Sequence, residues 1–395
     1  MQRVSPLIFL ILFVLAGCGG NQQLNDDFIT VDVTKSYPKK ELILQDIFDV
    51  EYVPLETNDE FITSGIIEAI GKDIIVSINT GMGGDIFIFD RNGKGLRKIN
   101  RKGQGPEEYV DASYFTIDEK NNELVITDSF GRSIIVYDLL GNFKRRLSND
   151  RNIYGYFGQF DQDHFICRYL SGDFVNGKYG GLRNELFIMS KKDGSITNEI
   201  AIPFDEKIWP QVISPDGSRP SPSPRNLTLI PHKGNWIVTE ISSDTIYNLL
   251  SDYSLTPLIV RTPTIESMDT KVFLYPSVIT DSHYFMQTAR REYDFATRTG
   301  WPRTDLVYDR RENAIFEYVV YNDDLSGKTP VLMSYENRRI AYPTQNDEIV
   351  FFHIYEAFDL IEANNEGKLK GRLKEIAANL EEEDNPVIML VKHKK

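Results

Sequence analysis

Between Ile66 and Leu147 the chain nearly repeats itself, and a recurring supersecondary unit restricts what the whole can fold into. The first copy runs Ile66-Ile-Glu-Ala-Ile, Gly71-Lys-Asp-Ile-Ile-Val-Ser-Ile, Asp85-Ile-Phe-Ile-Phe-Asp-Arg-Asn-Gly93 and Gly95-Leu-Arg-Lys-Ile. The second runs Tyr114-Phe-Thr-Ile-Asp, Asn121-Asn-Glu-Leu-Val-Ile-Thr-Asp128, Ser133-Ile-Ile-Val-Tyr-Asp-Leu-Leu-Gly141 and Asn142-Phe-Lys-Arg-Arg-Leu147. Both are short β-branched and aromatic runs broken by Asn, Asp and Gly, the pattern of consecutive antiparallel strands. A unit that returns after about 50 residues is the mark of a propeller or an array of stacked sheets.

The inner hairpin of that unit, a polar turn followed by a β-rich run, recurs six times. The turns begin at Gly71, Asn121, Asp161, Lys233, Asp281 and Asn346. A third strand follows each, and five of the six continue into a fourth; the last stops at Lys395 before one can form. The run Ile47-Phe-Asp-Val-Glu-Tyr-Val-Pro-Leu55 has no unit of its own, and Pro54 cannot donate a ladder hydrogen bond, which suits an outermost strand. The expectation is an all-β, six-bladed β-propeller of four-stranded antiparallel blades over residues 41–395, closed by pairing the strand near Tyr52 with the one near Ile388. Such closure leaves no open edge at the seam.

Two insertions interrupt the pattern. Ser214-Pro-Asp-Gly-Ser-Arg-Pro-Ser-Pro-Ser-Pro-Arg225 has too many prolines for sheet or helix and predicts an exposed extended loop. Residues 367–384 predict one helix in the last blade, with Leu369, Leu373, Ile376 and Leu380 on a single face.

The N-terminus opens Met1-Gln-Arg3, then an apolar run from Leu7 to Leu15, then Leu15-Ala-Gly-Cys18. The run is too short to span a bilayer and has the charged-then-apolar layout of a signal peptide, here residues 1–17. Leu-Ala-Gly-Cys resembles the bacterial lipobox, which implies lipidation at Cys18 and a membrane-anchored protein, with residues 18–40 as tether. Gly19 after the cysteine favours the outer membrane. Cys167, the only other cysteine, lies in an apolar run and reads as a buried small hydrophobe. A formal net charge of −14 argues against nucleic acid as a partner.

The segment Arg101-Lys-Gly-Gln-Gly-Pro-Glu-Glu-Tyr109 resembles the signature of the six-bladed β-propeller lipoproteins of the bacterial envelope, related to NHL-repeat propellers. Val53-Pro-Leu-Glu-Thr57 and Asn385-Pro-Val-Ile-Met-Leu-Val391 share the resemblance, which extends from Leu42 to the C-terminus. It implies a fold and an envelope location, not a reaction. Some NHL-like propellers are zinc-dependent lyases, so a metal-dependent enzyme is one rival reading.

Residues 101–109 themselves read as a tight inter-blade turn, or as a site lined by Arg101 and Tyr109. The loops between strands two and three share a face with the inter-blade connections and pair arginine with aromatics, the composition of recognition surfaces. They supply Arg132, Arg168, Tyr169, Arg290, Arg291, Tyr293 and Tyr355. His164, His232, His283 and His353 do not share that placement, and no Ser-His-Asp order or His-Glu-x-x-His motif occurs. The reading is a tethered binding module for a glycan, a peptide or an envelope protein, without metal or cofactor. Its rivals are an enzyme, a lyase or a glycan-active hydrolase, using carboxylates such as Asp128 and Glu292, and a structural scaffold for another envelope protein that docks through the helix at 367–384.

Overall fold

The computed structural model describes residues 28–79, 83–128, 130–148, 157–168, 185–224, 226–334 and 346–394, and the backbone of the short hairpin strands 173–175 and 178–180. Cys18, the signal segment, the first part of the expected tether and Tyr169 lie outside these residues. The chain forms a six-bladed propeller. Blade 1 comprises Ile66–Ile70, Ile74–Ile78, Ile86–Asp90 and Gly95–Ile99; blade 2 comprises Ala112–Asp118, Glu123–Asp128, Ser133–Asp138 and Phe143–Leu147. Blade 3 is built from Phe157–Gln159, His164–Arg168, Leu186–Ser190 and Ile196–Ile200, and blade 4 from Leu229–His232, Asn235–Val238, Thr245–Leu249 and Leu255–Thr262. Blade 5 follows with Val272–Ile279, His283–Arg290, Arg303–Asp309 and Ala314–Tyr321. In blade 6, Ile349–Tyr355 pairs with Val387–His393, which pairs in turn with β3 (Phe48–Pro54). The register sets Tyr52 opposite Met389 and Val53 opposite Ile388, as the unpartnered N-terminal run predicts.

The strand sequences are nearly continuous apolar runs because both faces of every blade are buried against a neighbour. In blade 1, Ile75 packs toward blade 6 while Ile74 and Val76 pack toward blade 2. In blade 2, Leu124 and Ile126 face blade 1, and Val125 faces blade 3. Cys167 is fully buried at the interface of blades 2 and 3, where burial pushes its thiol far up and leaves it a packing residue.

Polar turn residues also tie one blade to the next. Glu119 of blade 2 accepts the backbone N–H groups of Lys72 (2.7 Å), Asp73 (2.7 Å) and Ile74 (3.1 Å) in the inner turn of blade 1. Asn346 donates to the Gly71 carbonyl from the other side, and Lys191 of blade 3 reaches Asp118 of blade 2 at 2.9 Å. The blade 3, 4 and 5 hairpins that depart from the Asp-x-x-Gly pattern keep the geometry: Gly194, Tyr253 and Asn313 stand at positive φ where Gly93 and Gly141 stand in blades 1 and 2.

The two motifs flanking the ring form its clasp. Asn385, almost fully buried, donates from Nδ2 to the carbonyls of Glu56 (2.6 Å) and Phe61 (2.8 Å) and accepts from Thr63 N at 2.9 Å. Its own N–H donates to Thr57 Oγ1. Glu56 accepts the Gly95 N–H, and Gly93 sits so close that a Cβ there would collide with the Pro54 carbonyl oxygen. Glycine at φ +86° is the residue this approach admits.

The N-terminal boundary differs from the expectation. β1 (Ile29–Asp32) adds a parallel fifth strand to the outside of blade 4, and β2 (Lys39–Ile43) does the same for blade 5. A single turn, α1 (Leu44–Ile47), leads to β3 in blade 6. From Phe28 onward the supposed tether is therefore a strap across three blades. The polar composition concealed it: only Val31, Leu42 and Leu44 are buried, and pairing at a sheet edge needs few apolar side chains.

The single helix at 367–384 is also corrected. Two helices occur, α2 (Ala357–Asn365) and α3 (Gly371–Ala377), linked through Gly367 at positive φ. Leu369, Leu373 and Ile376 do lie on one buried side, with Leu360 of α2, and fill the rim of the interface between blades 5 and 6. The proline-rich loop is not simply extended: Ser214 and Ser221 are buried, Ile213 bridges to Pro220, and Asp216 holds the turn through Ser214 and Ser218.

Candidate functional site

Insertions beyond the plain four-stranded blade leave from one face. The strand-two-to-three connections carry the hairpin at 173–180 in blade 3, the hairpin Tyr293–Asp294 with Thr299–Gly300 in blade 5, and α2 with α3 in blade 6. The long connection 201–228 from blade 3 to blade 4 lies on the same face. On the opposite face, the described hairpin turns are only two to five residues long.

Several of the predicted ligand residues on this face are spent on structure. Tyr109 is fully buried between blades 1 and 2, edge-on to Tyr137, and donates to the Gly84 carbonyl; burial pushes its hydroxyl up to about 12. The loop 101–109 is thus an inter-blade turn. Glu108 folds back to accept the Gly105 N–H, and Arg146 donates to the carbonyls of Pro106 and Glu108. Arg101 projects to the surface, its Nε donating to the Gly141 carbonyl. Arg291 is half-buried and clamps the Gln211 carbonyl with Nε (3.2 Å) and Nη2 (2.7 Å). Tyr355 is half-buried beside Asn322 and Met389, its hydroxyl pushed up to about 12 by burial. Sequence shows that an arginine or tyrosine ends a strand; whether it points outward or into the next blade depends on the ring.

Arg168 is the clearest correction. It is buried between blades 3 and 4, donating to the Thr239 carbonyl (2.5 Å) and to Glu240 (3.0 Å), with Glu185 at 3.8 Å. Lys207 bridges the same carboxylates, 3.1 Å from Glu185 and 3.0 Å from Glu240, while lying over the rings of Phe204 and Trp209. Burial raises the Glu185 pKa. Burial acts on Glu240 too, but Arg168, Lys207 and the Ser242 hydroxyl outweigh it and hold that pKa low. Two carboxyls driven apart in this way can divide acid and base roles. Here both are already engaged by two cations, and the void beside Glu240 measures about 10 Å³, room for no more than one water. The cluster works as an inter-blade tie. Lys207 and the aromatics beside it, unmarked in the sequence pattern, come from the long connection.

Arg132, Arg290 and Tyr293 remain accessible. Arg132 stands at φ +51° next to Phe130, which is 77% exposed, at the tip of the blade 2 loop. Arg290 extends toward Glu292 at 3.5 Å, and Tyr293 packs edge-on against Phe295 of its own hairpin, with Arg219 of the proline-rich loop over the Phe295 ring. Blades 2 and 5 are opposite each other in the ring, so these residues form two sets rather than one. The same geometry separates Asp128 from Glu292. Asp128 is buried and accepts backbone N–H groups from Val110, Asp111 and Gly131. Among the described residues, no three His, Cys, Asp or Glu side chains are grouped to hold a metal ion.

One carboxyl stands apart. Glu68 is the extra residue of a β-bulge in the innermost strand of blade 1, and its Oε2 is buried with no hydrogen-bond partner among the described residues. Burial raises its pKa to about 8. The folded state therefore holds a proton that the unfolded chain releases near pH 4.5, so stability should fall as pH rises from about 4.5 to 8 and level off above. Glu68→Gln should stabilise the protein at pH 9 by on the order of 3 kcal/mol and leave it unchanged at pH 4, read from denaturant melts. Equal stability of the two proteins at both pH values would show that Glu68 ionises without cost.

Residues 28–392 match a family described as Domain of unknown function (DUF4934). No curated protein matches the chain. A solved structure from Bacteroides fragilis, assigned as an exported protein, superposes with a TM-score of 0.61 at 14% identity, covering 93% of this chain and 100% of that one. A member of the DUF4221 family from Bacteroides vulgatus gives 0.47 at 10% identity, over 88% and 98%. A virginiamycin B lyase from Staphylococcus aureus gives 0.37 at 12% identity, over 88% and 100%. The first shows the fold; the other two scores are too low to carry an argument.

Proposed function

We propose that this chain, which belongs to the DUF4934 family, is a binding module of the bacterial envelope whose ligand docks on the face carrying the insertions. The observation that carries the reading is that asymmetry: a rigid ring keeps one face to short turns and builds hairpins, helices and a long connection on the other. Rings of this kind position loops rather than react through their scaffold. The accessible contacts are Arg101, Phe130 and Arg132 on blades 1 and 2, and Arg290, Tyr293 and Phe295 on blade 5. Two separated aromatic and cationic sets suit an extended ligand, a glycan or a peptide, better than a compact metabolite. The resemblance to a protein assigned as exported and the Leu15-Ala-Gly-Cys18 sequence support an envelope location with a lipid anchor.

The test is a glycan and peptide array probed with the full-length tagged protein and with Arg290→Ala, Tyr293→Ala, Phe130→Ala and Arg132→Ala variants. Loss of a hot-spot side chain should cost about 1–4 kcal/mol of binding. Binding that ignores all four substitutions would remove this face from the reading, and turnover of a bound glycan would favour an enzyme.

A further inference from the structure

The strap and the outer edges of blades 4 and 5 enclose a groove of about 820 Å³. Phe28, the first described residue, lies in it, and Tyr37, Tyr284 and Tyr308 line its walls. Its two cations both lie over tyrosine rings. Lys35 lies over the Tyr37 ring, 5.5 Å from the centroid, and Arg310 lies over the Tyr284 ring at 5.8 Å. Neither has a carboxylate within ion-pairing distance among the described residues, whereas Lys40 nearby is bound by both Asp309 and Glu312. The groove's one carboxylate, Asp32, is committed to its own turn: Oδ1 accepts the Thr34 N–H at 2.9 Å and the Thr34 hydroxyl at 2.7 Å. A chain with a net charge of −14 thus keeps one patch where two cations lie over tyrosine rings and outside any ion pair among the described residues. Cations laid on tyrosine rings beside open, amphipathic walls fit phosphate groups at a bilayer interface, where tyrosine is itself favoured.

The position of the groove identifies the surface. Nine residues lie between Cys18 and Phe28, so the ten residue steps make a leash of at most about 35 Å. If Cys18 carries the lipid, a point that rests on the reading above, the rim of blades 4 and 5 is the part of the ring held nearest the headgroups. We infer that this groove docks against the phosphate headgroups of the anchoring membrane, fixing the ring edge-on so that the insertion-bearing face stays clear.

The experiment uses the full-length chain with Cys18→Ser, so that the anchor contributes nothing, and vesicles of phosphatidylcholine with or without phosphatidylglycerol. The protein should partition onto the anionic vesicles, and Lys35→Gln and Arg310→Gln should each lower the partition about fivefold. Lys192→Gln, in a blade 3 turn, should not. All four proteins should melt alike, because the substituted groups are on the surface. Equal partition of the groove variants and the parent, or no preference for anionic vesicles, would overturn the assignment. Binding of inorganic phosphate without vesicle partition would point to a soluble ligand and overturn it too. Incorporation of labelled fatty acid into the Cys18 protein is read separately. Labelling together with partition that ignores both substitutions removes the groove and keeps the anchor; partition that depends on them without labelling does the reverse.

Discussion

A chain that starts at Gln45, and so lacks β1 and β2, should lose stability on the order of 3–6 kcal/mol and melt roughly 10 °C lower than one that starts at Phe28. Val31 and Leu44 are fully buried and Leu42 nearly so; each is worth about 1.5–3 kcal/mol relative to exposure, less the entropy of ordering the strap. The truncation also uncovers the outer edges Leu255–Thr262 and Ala314–Tyr321, which would then present unpaired backbone groups. Aggregation on heating is expected with the lower melting temperature. Val31→Asp and Leu42→Asp, each made in the intact chain, test the same contacts without exposing an edge and should each cost more than 2 kcal/mol, roughly. If the truncated chain melted with the parent, residues 28–40 would be the passive tether that their composition suggests.

Removing residues 386–395 should have the largest effect of any change considered. Val387, Ile388, Met389, Leu390 and Val391 are all fully buried, in a strand flanked by β3 on one side and Ile349–Tyr355 on the other. Their burial amounts to roughly 7–15 kcal/mol as an upper bound, the size of a whole domain's net stability. The truncated protein should show no cooperative melt and should collect in aggregates. Asn385→Ala is the graded version: it strands the Thr63 N–H and the carbonyls of Glu56 and Phe61, and should cost about 2–5 kcal/mol. A soluble, cooperatively melting truncation would mean that the ring does not depend on pairing its two ends.

These predictions separate two kinds of information in the chain. The inner hairpins of the first five blades, the antiparallel sheets and the pairing of Tyr52 with the last strand were legible in the residues, because turn chemistry and apolar runs are local signals and a missing fourth strand is an arithmetic fact. The buried side of the Leu369, Leu373 and Ile376 set was legible for the same reason, although the helix there is confined to Gly371–Ala377 and a second, Ala357–Asn365, precedes it. The strap was not. Its strands add to existing sheets through backbone hydrogen bonds, which leave almost no trace in side-chain composition.

The candidate site shows the boundary most clearly. Arginine and tyrosine at strand ends are the same in sequence whether they face a ligand or the next blade. Arg168 and Tyr109 turn inward because the adjacent blade supplies Glu240 for one and the Gly84 carbonyl with the Tyr137 ring for the other. Arg132 and Arg290 stay exposed, the first in the blade 2 loop and the second at a strand end of blade 5. Periodicity and turn residues by themselves determined that this chain is a ring of six sheets with its ends joined. Which charged groups were left for a ligand was decided only by the tertiary structure, since a buried charge needs partners and those partners come from blades distant in sequence.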